Sequence, residues 1–96
     1  MNSVSLTYGQ LEYLLQELGY RLTQPQDGPR IWENRDFDAV KFLPAEAPDK
    51  PARVHHLMTV RKVSVEKGIV DEDKFAVMLE KAQQQEVQTA TNRDAA

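Results

Sequence analysis

The chain has no cysteine among its 96 residues, which excludes disulfide bonds, thiolate zinc sites and cysteine nucleophiles. It also has no apolar run close to the roughly 18 residues that a membrane-spanning helix needs. The opening residues, MNSVSLTYGQ, lack the basic start and apolar stretch of a signal peptide. These absences predict a soluble protein of the cytoplasm, without a membrane partner.

The composition is that of a folded globular protein, because 41% of the residues are hydrophobic and 28% are charged. The length predicts one domain over residues 1–82. Residues 83–96, QQQEVQTATNRDAA, have no apolar period and are expected to form a disordered tail. The formal net charge of −3 argues against delocalised nucleic-acid binding, which a local basic patch would still permit.

A helix is predicted over residues 8–18. Thr7 is a good N-cap residue, and Gln10 completes a capping-box pattern with it. Gly19 is placed to end the helix in the left-handed conformation. Four leucines follow the helical period and define the buried stripe: Leu11, Leu14, Leu15 and Leu18.

Three strands are predicted next, over residues 20–23, 30–34 and 36–43. The segment QPQDGP, residues 24–29, has the residue types that favour a turn. Because the connections are too short for parallel crossovers, the strands are expected to form an antiparallel meander.

The second half of the chain is predicted to be helical. Residues 44–52 hold three of the five prolines and form a loop. A helix then runs from Pro51 to about Glu66 and is closed by Gly68. Its interior is rich in β-branched residues, so a strand over residues 62–66 is a competing prediction.

The last helix is capped by Asp71, and its buried stripe consists of Phe75, Met78, Leu79 and Ala82. The predicted fold is therefore α+β, in the order αβββαα. A small three-stranded antiparallel sheet carries the helices on one face.

Both histidines lie in the segment RVHHLMTVRK, residues 53–62. On a helix, His55 and His56 point about 100° apart and cannot share a metal ion, so no metal site and no cofactor is predicted. One stripe combines His55 with Thr59, Lys62 and Glu66. This stripe is either a solvated face with a Lys62–Glu66 pair, or part of a basic ridge that contacts phosphate. The ridge would consist of Arg53, His55, Lys62 and Lys67.

Arg61 lies within an apolar arc that is expected to face the core, formed by Val54, Leu57, Met58 and Val65. Three explanations stay open: the stem of Arg61 lies along apolar surface, the helix ends earlier, or this face meets a partner.

In the second strand, Ile31 and Trp32 point to opposite sheet faces, and Trp32 is expected in the core. An outward Trp32 would instead stack on a base or anchor a protein. The acidic residues do not converge: Asp36 and Asp38 share a strand face, and Asp71, Glu72 and Asp73 form a helix cap.

Three segments resemble HicA-type toxins, which are small mRNA interferases paired with an antitoxin. YGQLEYLLQELGYRL is similar to their opening helix and first strand, and GPRIWEN occupies the place of their second strand. RVHHLMTVRKVSVEKGIVDEDKFAVML is similar to their closing helices. The resemblance implies a double-stranded-RNA-binding-like αβββα fold and a toxin–antitoxin context.

The family's catalytic histidine follows a Gly-Ser at the start of the second strand. Here the run is Gly28-Pro29-Arg30, so Arg30 stands at that position. Arginine stays protonated at neutral pH and cannot act as a general base. The resemblance therefore implies a scaffold without the nuclease, on which Arg30 would hold a phosphate.

The sequence predicts a non-catalytic binding module that contacts RNA or a partner protein, such as an antitoxin. The predicted contact residues are Arg30, Arg53, His55, Arg61 and Lys62. The alternative is a protein-interaction or regulatory domain, in which the helix bearing Arg61 or an exposed sheet edge joins another chain, for instance in a homodimer. An active ribonuclease that uses His55 or His56 is the least favoured hypothesis.

Overall fold

The computed structural model describes residues 5–23 and 28–85 of the chain. The elements are α1 (Tyr8–Glu17), β1 (Arg21–Leu22), β2 (Arg30–Asn34), a 3-10 turn (Arg35–Phe37), β3 (Ala39–Leu43), α2 (Val54–Glu66) and α3 (Glu72–Gln83). This order confirms the predicted αβββαα arrangement. Most of the predicted turn at 24–29 and of the predicted tail at 83–96 lies outside the described residues.

Helix α1 begins where its sequence predicts and ends one residue earlier than predicted, at Glu17. The backbone N–H of Gln10 donates to Thr7 Oγ1 at 3.2 Å, and the Thr7 N–H donates to Gln10 Oε1 at 3.0 Å. This is the predicted capping box. Gly19 has φ +97°, which lets the Tyr20 N–H reach back to the Leu15 carbonyl at 2.9 Å.

The sheet has the strand order β1-β2-β3, and both pairings are antiparallel. In the middle strand, Trp32 lies opposite Leu22 on one side and Lys41 on the other. Trp32 is 2% exposed, so its predicted core position is confirmed. The helices cover the face that carries Trp32 and leave the other face open.

Strand β3 is shorter than predicted. Residues 35–37 form a 3-10 turn, and Asp38 follows it with φ 54° in the left-handed region. The expectation that Asp36 and Asp38 share a strand face is therefore wrong. The physical reason is that an aspartate tolerates the left-handed conformation better than most residues, which allows a polar run to turn instead of extending.

Helix α2 is continuous over Val54–Glu66, so the competing strand at residues 62–66 is wrong. It starts three residues later than predicted, because Pro51 forms an isolated antiparallel β-bridge with Thr7. At its other end Gly68 has φ +75°, and the Ile69 N–H donates to the Ser64 carbonyl at 2.8 Å. Gly68 thus closes the helix as predicted.

The buried face of α2 differs from the predicted one. Val54 and Met58, expected to face the core, are 52% and 64% exposed. The buried positions are Leu57, as predicted, together with Val60 and Ser64. Apolar residues occur around much of this helix, so packing against α3 and β3 selects the inner face, and the apolar period alone does not.

The core is a single connected cluster of buried side chains from the sheet and all three helices. Helix α3 enters it through Phe75 and Ala82, and is capped by Asp71, whose Oδ1 accepts from the Lys74 N–H at 2.7 Å. The Asp71 cap is the predicted one. Within residues 5–23 and 28–85, no helix has the length and apolar character needed to cross a membrane.

Candidate functional site

The five predicted contact residues do not form one surface. Arg30 lies on the helix-covered side of the sheet, where its Nε donates to Glu12 Oε2 at 2.5 Å and its Nη2 to Glu12 Oε1 at 3.3 Å. Both side chains are less than one third exposed. This two-pronged geometry satisfies the guanidinium within the protein. A phosphate contact by Arg30, which stays a prediction, requires this pair to open.

Arg61 and Lys62 are also paired with carboxylates. Arg61 Nη2 lies 2.5 Å from Glu72 Oε1, and Lys62 Nζ lies 3.4 Å from Glu66 Oε2. The Lys62–Glu66 pair is the one that the sequence predicts for a solvated helix face. Each carboxylate offsets one cation, so the positive field along this side of α2 is weak.

The outward side of α2 is a shallow groove with an apolar floor. It brings together three of the five predicted contact residues, His55, Arg61 and Lys62, and its lining also includes Met58, Val65 and Glu72. Arg61 is 56% exposed and paired with Glu72, so two of its three explanations stay predictions: a stem along apolar surface, and a partner at this face. The helix does not end early.

The first turn of α2 gathers cations that lack acidic partners. The imidazole centroids of His55 and His56 are 4.1 Å apart, although the helical wheel separates them. Lys41 of β3 and Arg53, at the N-cap of α2, are close enough to act electrostatically on His56. In the described part of the chain, none of these four side chains forms an ion pair with a carboxylate.

Burial and charge change the protonation of this cluster. The pKa of His56 is lowered, first by burial and then by the positive charges of Lys41, His55 and Arg53. The pKa of Lys41 is lowered by burial. The sequence analysis placed Arg53 and His55 at a contact surface, considered His56 only as a ribonuclease residue, and missed Lys41. Alternation in β3 puts Lys41 opposite the apolar Val40 and Phe42, which predicts an exposed lysine, so no local pattern indicated its position.

The outer edge of β3 is the second distinctive surface. The Thr23 N–H donates to the Ile31 carbonyl at 2.8 Å, so the backbone groups of Ile31 point toward β1. Those of Trp32 then point toward β3, and they meet Lys41 there. Backbone direction alternates along an antiparallel strand. The N–H and C=O groups of Val40 and Phe42 therefore point away from the sheet.

The side chains at this edge are also open to solvent. Val40 is 51% exposed and Phe42 is 59% exposed, on the sheet face that no helix of the described residues covers. Ile31, the cross-strand neighbour of Phe42, is half-buried beside them. Among the described residues, no hydrogen bond from another element reaches the outward backbone groups of Val40 or Phe42. We call Val40 and Phe42, with their outward backbone groups, the open edge.

A cleft of about 810 Å³ lies between α1 and the β1–β2 side of the sheet. The Arg30–Glu12 pair and the ring of Trp32 line it, and its lining residues include no histidine. The Trp32 indole N–H is buried and has no hydrogen-bond partner within residues 5–23 and 28–85. No nucleophile is placed beside a base here, which is the arrangement that covalent catalysis requires.

Comparisons with known proteins add no assignment to this geometry. No family model, curated protein or solved structure matches the chain. The resemblance to HicA-type toxins thus stays a prediction. In the part of the chain that the structure describes, no three side chains of the His, Asp or Glu type converge to hold a metal ion.

Proposed function

We propose that this chain is a non-catalytic protein-binding module that takes an extended segment of a partner chain along the open edge of β3. The observation that carries the proposal is the open edge itself, in which outward backbone groups and exposed apolar side chains belong to the same two residues, Val40 and Phe42. Binding by strand addition uses both components. Main-chain hydrogen bonds supply affinity, and alternate side chains supply specificity.

Proteins normally carry features that prevent another chain from pairing with an unpaired strand edge, because such edges otherwise associate with other chains. Charged side chains, proline or a covering segment are the usual devices. Lys41 lies in β3, but its side chain is on the helix-covered face, opposite Val40 and Phe42. The charge of Lys41 therefore does not oppose the association of another chain with the exposed side of the edge. This supports a role for the edge in binding.

Charge pairing supports a protein partner over RNA. Arg30, Arg61 and Lys62 each lie beside a carboxylate, and the whole chain carries a net charge of −3. A phosphate-led surface needs cations that are free to replace counterions. RNA contact is the competing prediction. The HicA-like resemblance is compatible with a protein partner as well, since that family pairs with antitoxins.

Peptides selected from a displayed library against the intact chain test the proposal. The selected ligands are expected to alternate apolar and polar residues with a period of two. Phe42→Ala is expected to weaken them by removing the side chain. Phe42→Pro is expected to weaken them further, because proline also removes the outward N–H without breaking a hydrogen bond to β2.

Two controls separate this edge from other surfaces. Met58→Ala removes an equally exposed apolar side chain from the groove on α2 and is expected to leave peptide affinity unchanged. Ligands that are N-methylated at alternate residues test the main-chain hydrogen bonds without altering the protein. The proposal fails if Met58→Ala, and neither substitution of Phe42, weakens binding. It also fails if RNA binds at low salt and is lost with Lys62→Ala.

A further inference from the structure

Four cationic or titratable side chains belong to the start of α2 or to the strand that packs against it: Lys41, Arg53, His55 and His56. They come from two elements, β3 and α2, and His56 also packs near Tyr8 of α1, with ring centroids 6.0 Å apart. Most other cations nearby in the fold have a carboxylate within ion-pair distance. In this cluster, within the described residues, no such carboxylate is present. We call these four residues the cationic cluster.

Like charges that are held together repel one another, and partial burial strengthens the repulsion because water screens it less. Lys41 and His56 are both half-buried. The Nδ1 atom of His56 is buried and has no hydrogen-bond partner in the described part of the chain. An anion bound beside these side chains supplies the opposite charge.

We infer that the cationic cluster binds a compact tetrahedral dianion, such as inorganic phosphate, sulfate or a phosphate monoester. The guanidinium of Arg53 offers two parallel donors to such an oxyanion, and Lys41 offers a point charge. The imidazole rings of His55 and His56 lie only 4.1 Å apart, so one small anion is able to contact both rings.

The surroundings of the cluster favour a compact anion over a nucleic-acid strand. Further along α2, Arg61 and Lys62 are paired with Glu72 and Glu66. A strand of phosphodiesters that left the cluster in this direction would meet these carboxylates. The site is also separate from the open edge, because Lys41 points to the opposite face of the sheet from Val40 and Phe42.

Binding of the dianion is expected to be coupled to proton uptake. The groups that face His56 are Tyr8 from α1, Lys41 from β3, and Arg53 and His55 from α2. The cations among them favour the neutral imidazole, whereas a bound dianion favours the protonated one. Affinity for a dianion therefore rises as the pH falls below about 6.5, the ordinary pKa of histidine.

Sulfate is the suitable probe, because it stays a dianion over the pH range in which histidine titrates. The resonances of both imidazole rings are followed by NMR while sodium sulfate is added at low ionic strength. Saturating sulfate is expected to raise the pKa of His56. Lys41→Gln and Arg53→Gln are each expected to weaken sulfate binding by about tenfold, as the loss of a charge-assisted hydrogen bond implies.

Lys62→Gln is the matched control, since it removes the same charge from the same side of the protein but outside the cluster. It is expected to change sulfate affinity by less than about twofold. Arg53 is exposed, so Arg53→Gln is expected to fold normally. It therefore tests the inference even if Lys41→Gln impairs folding. Phosphate and phosphoserine are then added to separate free anions from phosphate monoesters.

Three outcomes would overturn the inference. The first is the absence of any sulfate-dependent change at the two histidines. The second is equal weakening by Lys41→Gln, Arg53→Gln and Lys62→Gln, which indicates a diffuse field. The third is a shift of the same resonances by single-stranded RNA, when sulfate at the same concentration as the RNA phosphate groups causes none. That result indicates a nucleic-acid surface.

Discussion

Arg30 of β2 and Glu12 of α1 form a two-pronged ion pair that joins the central strand to the first helix. Their side chains are 29% and 20% exposed. This is the position at which the HicA-like resemblance expects a catalytic histidine. In this chain the same position connects two elements of the fold.

Replacement of Arg30 by glutamine is expected to lower the free energy of unfolding by about 1 kcal/mol, because Glu12 loses its charge-assisted partner. Urea unfolding measures the change. A swapped pair, Arg30→Glu with Glu12→Arg, is expected to recover part of the loss. If the swapped variant loses as much free energy of unfolding as the two single variants lose together, the pair contributes nothing to stability.

Asn34 is 3% exposed, and its Nδ2 donates to the Leu18 carbonyl at 3.0 Å. Asn34→Asp keeps the shape of the side chain but removes this donor and places a charge in the core. The expected loss is about 2 kcal/mol or more in urea unfolding. Asp36→Asn, in the exposed turn two residues away, is the matched control and is expected to be neutral.

The hydroxyl of Ser64 is fully buried and has no hydrogen-bond partner within residues 5–23 and 28–85. Ser64→Ala is expected to raise the free energy of unfolding by about 1 kcal/mol, because it removes an unsatisfied polar group. Thr59→Ala serves as the control, since Thr59 Oγ1 is exposed and donates to the His55 carbonyl at 2.7 Å. A destabilising Ser64→Ala would indicate that the hydroxyl has a partner in solution.

His56 predicts how stability depends on pH. Its pKa is lowered in the folded state, first by burial and then by neighbouring cations, whereas in the unfolded chain it is about 6.5. Between these two pKa values, the unfolded state therefore binds a proton more readily than the folded state does. The stabilising contribution of the neutral imidazole is complete above about pH 6.5 and is lost as the pH falls toward the folded-state pKa.

His56→Gln is expected to flatten this part of the stability profile. Urea unfolding between about pH 7.5 and 5 gives the profile, and the difference between wild type and variant removes the contribution of the carboxylates. His55→Gln, at an exposed position, is expected to keep most of the decline. A wild-type profile that His56→Gln leaves unchanged would contradict the assignment.

Local chemistry explains why much of the fold was predictable. The capping box of Thr7 and Gln10, the left-handed Gly19 and the cap at Asp71 each depend on residues a few positions apart. Such interactions form in the same way wherever the helix lies in the fold. The burial of Trp32 follows from size and alternation in a strand that has one covered face.

The candidate surfaces were harder to predict, because their partners are distant in sequence. Glu12 lies 18 positions from Arg30, and Glu72 lies 11 positions from Arg61. Of the predicted basic ridge, Lys62 is paired with Glu66 of the same helix, whereas Arg30 and Arg61, outside the ridge, are paired with carboxylates from other elements. Lys41 joined a cluster with Arg53 only because β3 packs under α2.

The sequence by itself determined the types and order of the elements and several of their ends, and it placed Trp32 in the core. These properties depend on backbone preferences and on apolar periods within one segment. Only the tertiary structure decided which face of α2 is inward, which cations are paired and which strand edge is open. Helix α2 has apolar side chains on several sides, and charges find partners through space, so contacts between elements settle what no local pattern specifies.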